Sequence, residues 1–136
     1  MKLKGKILSA IAVGYTRILK VDSNLGVICI TAFDYDNSLD GECNSGEYAP
    51  GNFIDTDVIL TLAVKSDAVF KGGFPFLQKN SDEPDTYICG MVTDIREDQV
   101  FLSMKDMGTI VVDLDQDSDF SVGSFLIFRG ELSTEE

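Results

Sequence analysis

The chain has 136 residues, 44% apolar and 25% charged, the mix of one ordinary globular domain over residues 1–136 rather than of a disordered chain. Its formal net charge is −12, from 23 acids against 11 bases, a field that repels phosphate backbones and anionic lipid and so disfavours nucleic acid and membrane surfaces as partners. His is absent, which excludes Ser-His-Asp and Cys-His catalysis and histidine metal ligation, and no phosphate-loop or dinucleotide fingerprint occurs; the expectation is a non-enzyme with no cofactor and no metal.

Lys2, Lys4 and Lys6 precede the apolar run Ile7–Val13 in faint imitation of a signal peptide. The run is short and holds Ser9, so Gly5–Val13 reads as a first strand. Gly14 starts a turn or bend, and Tyr15–Val21 continues in β-forming residues. Asp22-Ser23-Asn24-Leu25-Gly26 supplies turn chemistry. Val27–Phe33 is apolar on both alternating sets, as suits a strand covered on both sides. Asp34–Asn52 is a long polar loop holding Gly41, Gly46, Pro50 and Gly51, and loops of that length in compact domains are often functional. Phe53–Lys65 returns to period-two alternation.

Ser66–Asp85 is irregular. Ser66–Phe70 has room for one helical turn before Gly72, Gly73 and Pro75 stop it, and Phe70, Phe74, Phe76 and Leu77 are apolar enough to be pinned over a barrel mouth or sheet face. The last third is four short strands, Tyr87–Ile95, Gln99–Met104, Thr109–Leu114 and Ser124–Leu132. The prediction is all-β: a mostly antiparallel small barrel or sandwich of about seven or eight strands with little helix. Glycines hint at an internal repeat. Gly5, Gly26 and Gly51 are followed by Gly90, Gly108 and Gly123 at drifting offsets of 85, 82 and 72; β-meanders that place Gly at similar turns account for this more simply, and a true repeat would imply two similar three-stranded units packed face to face, the second shortened.

Cys29, Cys43 and Cys89 are odd in number and lack C-x-x-C spacing, so reduced thiols and a cytoplasmic location are expected. Cys29 and Cys89 lie in strand patterns, and Cys43, in the polar loop, is the one expected to react.

Val21–Val64 contains no Lys or Arg. Its acids Asp34, Asp36, Asp40, Glu42, Glu47, Asp55 and Asp57 are the candidate partner-binding residues, a carboxylate set suited to a cationic surface. Within it, Asp36, Ser38, Asp40, Gly41, Asn44 and Glu47 also fall on positions 1, 3, 5, 6, 9 and 12 of an EF-hand-like calcium loop, although strand-like Val27–Phe33 and Pro50 flank it where helices belong.

Small size, acid excess, missing catalytic motifs and the acid-only block together resemble the small cytosolic immunity proteins of bacterial contact-dependent and related polymorphic toxin systems. The resemblance implies a protein that binds and occludes the active-site cleft of a basic toxin domain, a nuclease, and it transfers no residue roles. Two alternatives stand beside it: an OB-like small β-barrel binding module, and a calcium-binding β domain using Asp36–Glu47.

Overall fold

In the computed structural model, ten strands are described: β1 (Lys2–Gly14), β2 (Thr16–Ser23), β3 (Gly26–Phe33), β4 (Leu39–Glu42), β5 (Phe53–Lys65), β6 (Phe76–Leu77), β7 (Asp85–Arg96), β8 (Gln99–Met104), β9 (Gly108–Leu114) and β10 (Phe125–Thr134). The description covers residues 1–67, 75–115 and 119–134. All eight strands expected from alternation are present, and the chain is all-β. The short β4 and β6 are additions that leave no pattern in the sequence. Ser66 and Asp67 are not helical, while the rest of the expected helical turn, with Phe70 and Phe74, lies outside the described residues.

Two rings close. β1, β2 and β3 form a meander. β3 meets β10 in parallel, β10 runs antiparallel to β5, and β5 returns antiparallel to β1. β7, β8 and β9 form a second meander that closes in the same way, β9 parallel to β5 and β10 antiparallel to β7. The β5/β10 ribbon is therefore a wall of both barrels. Closure removes most of the sheet edges that would otherwise template aggregation.

The repeat holds at the level of single hydrogen bonds. Lys6 pairs with Phe53, and Met91 with Phe125. The β1/β2 ladder slips between Ile7 and Ser9, and the β7/β8 ladder between Val92 and Asp94. The Ile7 amide donates to Asn52 O (2.9 Å) and Ile7 O accepts from the Gly51 amide (2.8 Å); Val92 does the same with Ser124 (2.9 Å) and Gly123 (2.8 Å). The falling offset has a simple cause: the link from meander to long strand spans 34–52 in the first copy and only 115–124 in the second. The units do not pack face to face as separate sheets, because each borrows the other's long strand. The offset that carries Gly51 to Gly123 also carries Leu60 to Leu132, and these two leucines pair with each other. A pseudo-two-fold axis therefore runs between them.

Alternation builds the core. In β8, Val100, Leu102 and Met104 point inward while Gln99, Phe101 and Ser103 point out. Leu3, Leu19, Ile30, Leu60, Ile88, Leu102, Ile110 and Leu132 are fully buried in one cluster drawn from both copies, each contributing about 1.5–3 kcal/mol by leaving water. The three cysteines are free and buried. Cys43 is a correction to the sequence reading: it is 5% exposed, its amide donates to Ala10 O (3.0 Å), and it packs into the core rather than standing in a solvated loop. Among the described residues, no helix is long and apolar enough to cross a membrane.

Candidate partner-binding surface

Arg17 anchors one end of the first barrel. Its neighbours across the β2 ladders are Ala12 and Ala32, whose small side chains leave interior room for a guanidinium. The side chain is 2% exposed. Nη1 donates to Gly14 O (2.8 Å) and Thr16 O (3.3 Å), and Nη2 to Asn37 O (2.6 Å), with the Asp34 carboxylate at 3.9 Å. Nε has no hydrogen-bond partner among the described residues. Asp34 in turn accepts from the Asp36 amide (3.1 Å) and Asn37 Nδ2 (3.4 Å), an Asx-type turn, and its own amide donates to Tyr15 O (2.9 Å). The start of the long loop is thus tied to the barrel mouth.

The loop then doubles back as β4 on β1. Glu42 lies opposite Ile11, Asp40 opposite Val13, and Leu39 opposite Gly14. Directly opposed residues share a face of the sheet, so these carboxylates flank Ile11 and Val13. Ile11, Val13, Tyr15, Tyr35 and Leu39 are all exposed, and Tyr35 stacks on Phe33 with ring centroids 5.9 Å apart. The result is an exposed apolar pair, Ile11 and Val13, flanked by Asp40 and Glu42, with Leu39 opposite Gly14 on the other face of the ladder and Tyr35 standing over β3. Asp40 is also held in place, accepting from the Gly14 amide at 3.1 Å.

The seven acids singled out in the sequence do not form one cluster. Asp34, Asp36, Asp40 and Glu42 gather at this mouth, Asp34 as a half-buried partner of Arg17 and the others exposed. Asp55 and Asp57 sit on β5 facing β1, where Lys4 (3.9 Å) and Lys2 (3.8 Å) reach them. Those pairs are exposed and each contributes little, but they offset the charge locally. The block without Lys or Arg is therefore not a surface without them, because β1 delivers its lysines across the ladder. Glu47 shares with Asp55 a concavity of about 390 Å³ that Tyr48, Phe53 and Ile54 also line.

The calcium-loop spacing is not realised as a loop. Strand β4 occupies its middle, an Asp40 oxygen is committed to Gly14, and Cys43 turns inward. Among the described residues, no group of three or more acidic or thiol side chains is placed to hold a metal ion.

The apolar members of the face escape a sequence reading that takes Ile7–Val13 only as a strand. The usable signal is the alternation of Ala10 and Ala12 with Ile11 and Val13: in a barrel wall the small pair faces the filled interior and the large pair faces out. A second surface leaves no sequence signal. An open groove of about 610 Å³ runs over the outer face of the β5/β10 ribbon, flanked by Phe101 and Val111 and ending at Phe33.

Compared with protein-family models, curated proteins and solved structures, the chain matches none.

Proposed function

We propose that the protein is a binding module, an immunity-type inhibitor that seats a basic protein partner on the Ile11–Glu42 face and occludes the partner's nucleic-acid cleft. The observation carrying this reading is the acid-flanked apolar pair. Interfaces combine a buried apolar centre with a polar rim, and here Ile11 and Val13 would supply the centre and Asp40 and Glu42 the rim. Carboxylates there stand where a nuclease expects phosphates, and the charge of −12 steers a cationic partner toward encounter. No step of such inhibition requires chemistry from this chain.

The test uses the basic partner that the protein captures from its source lysate. The triple reversal Asp36→Lys, Asp40→Lys, Glu42→Lys is expected to abolish protection of nucleic acid in a nuclease assay and to flatten the salt dependence of binding. The reversal Asp55→Lys, Asp57→Lys is the control and is expected to alter the on-rate alone. Unchanged affinity and salt slope in the triple variant would remove this face as the interface.

A second reading, an OB-like nucleic-acid module, draws on the closure of each ring by five strands, the architecture of that barrel class. Charge weighs against it, since Lys2 and Lys4 are already paired with Asp57 and Asp55. A low-salt gel shift with single-stranded DNA and RNA distinguishes the two; tight binding favours the OB-like reading.

A further inference from the structure

The pseudo-two-fold axis between Leu60 and Leu132 relates two flanks of one outward-facing trough along the β5/β10 ribbon. On the first flank, Lys20 of β2 pairs across the ladder with Cys29 of β3. At the matching place on the second flank, Phe101 of β8 pairs with Val111 of β9. The two flanks differ in what lies on them.

The first flank is covered by the chain's own segment between Pro75 and Pro84. The Gln78 side chain behaves as a piece of strand: Oε1 accepts from the Cys29 amide (2.6 Å) and Nε2 donates to Cys29 O (2.7 Å). Lys20 Nζ meets Asp82 at 2.9 Å, and Cys29 is sealed from solvent beneath. The second flank has no such cover among the described residues, and the groove of about 610 Å³ stands over it.

We propose that this open groove binds a segment of a partner polypeptide carrying a lysine or arginine beside an apolar residue, held through side-chain contacts of the kind that Gln78 and Asp82 make on the sister flank. Three observations select that occupant. The fold already demonstrates, at the equivalent place, that this wall accepts covering chain through a side-chain amide, Gln78 on the Cys29 backbone, and an ion pair, Asp82 on Lys20. The open flank presents carboxylates to the groove where the covered one presents Lys20: Phe101 stands in place of Lys20 with Arg96 over its ring, and among the described residues Glu131 makes no salt bridge and Asp113 is engaged only by Gln99 Nε2 at 2.8 Å. An incoming cation has the Glu131 and Asp113 carboxylates to meet there, the Phe101 ring being already covered by the chain's own Arg96 at 5.1 Å. Finally, Leu62 is 61% exposed and held at φ 51°, a backbone region a leucine rarely enters, by the bulge where β5 carries extra residues opposite Gly130. That conformation leaves an apolar side chain on the groove wall, at a type of position where strain accompanies binding.

This groove shares no carboxylate with the acid-rimmed face and approaches it only at Phe33, on which Tyr35 stacks, so reversals on either side test one proposal without the other. The test titrates the ¹⁵N-labelled full chain with three panels of synthetic hexapeptides, one with lysine or arginine fixed among apolar residues, one with aspartate or glutamate in their place, and one neutral. The basic panel is expected to shift the amide signals of Leu62, Gln99 and Val111 saturably, at millimolar concentrations or below. The acidic panel is expected to leave those signals unmoved, and Glu131→Lys to weaken the basic panel about tenfold while leaving the thermal midpoint unchanged. The proposal is overturned if no panel moves those signals, if the acidic panel binds equally, if Glu131→Lys has no effect on the basic panel, or if the shifts gather at Ile11, Val13 and Asp40 instead.

Discussion

Leu60 and Leu132 occupy the same position in the two copies and face each other across β5 and β10, both fully buried. A residue paired with its own counterpart marks the point where two barrels become one structure. Neither meander can close without a strand of the other copy. Leu60→Ala and Leu132→Ala are each expected to cost about 2–5 kcal/mol, against a whole-domain stability of about 5–15 kcal/mol. The double variant should deviate from additivity because the two side chains are in contact. Urea unfolding followed by tyrosine fluorescence and far-ultraviolet circular dichroism should give one coincident transition for the wild type. Two separated transitions would show the barrels to be independent.

Much of this fold was legible because apolar β-forming runs, alternating with period two in β5 and β8 and apolar on both sets in β3, mark the strands, and because glycines marked the corners of both copies. What stayed hidden was the exchange of β5 and β10. These two strands come from opposite halves of the chain, and nothing in the local pattern of Val58–Val64 distinguishes pairing within a copy from pairing across copies. The candidate site was legible in its acids and illegible in its surroundings. The loop from Asp34 showed its charge, but the lysines that meet Asp55 and Asp57 come from β1, at the very start of the chain, and the exposed Ile11 and Val13 looked like core. Cys43 is deceptive because its neighbours are polar, whereas the β1 ladder that its amide joins at Ala10 turns it inward.

Gly5 and Gly90 sit just before the matching bulges, and each lies against the backbone of the next strand. A Cβ on Gly5 would meet Asp22 O at 2.2 Å, and one on Gly90 would meet Ser103 O at 2.3 Å. Backbone cannot rotate aside as a side chain can, so Gly5→Ala and Gly90→Ala are each expected to destabilise by about 1–3 kcal/mol or more. Gly46→Ala is the contrast: its surroundings are open and only its φ of 87° opposes a side chain, for about 1–2 kcal/mol. Urea midpoints for the three variants check the ranking. A tolerated Gly90→Ala would mean that the second bulge is not held as the first is.

Arg17 holds three backbone carbonyls and Asp34 at the barrel mouth. Arg17→Met keeps the aliphatic stem and removes those donors, leaving the acceptors to find water or go unpaired. The expected cost is about 1–3 kcal/mol, concentrated locally. Hydrogen exchange at the Asp36 and Asn37 amides should accelerate while β7, β8 and β9 keep their protection, because those strands reach the site only through the shared ribbon. Uniform acceleration over the whole chain would place Arg17 in the global core rather than at a loop anchor.

Alkaline pH should weaken the fold through Cys29. Burial, and then the nearby Asp82, pushes its thiol up from 9.0 to about 12, and burial also raises Cys89. The neutral thiol is the form the native state retains. In the unfolded chain Cys29 loses its proton near 9.0, so between that pH and about 12 the folded protein binds more protons than the unfolded one. Stability is then fully present below pH 9 and falls as pH rises, by about 1.4 kcal/mol per pH unit for one such group. Urea midpoints of the reduced protein between pH 8 and 10.5, compared with those of Cys29→Ala, isolate this contribution from the lysines and tyrosines common to both. The variant starts lower because it leaves a small cavity, and it is expected to decline less steeply above pH 9. In the native state near neutrality all three thiols should label slowly with a bulky thiol reagent, Cys43 included. Parallel pH slopes for the two proteins would show that the Cys29 thiol ionises in the native state almost as readily as in the unfolded chain, and would refute the seal that the 75–84 segment places over it.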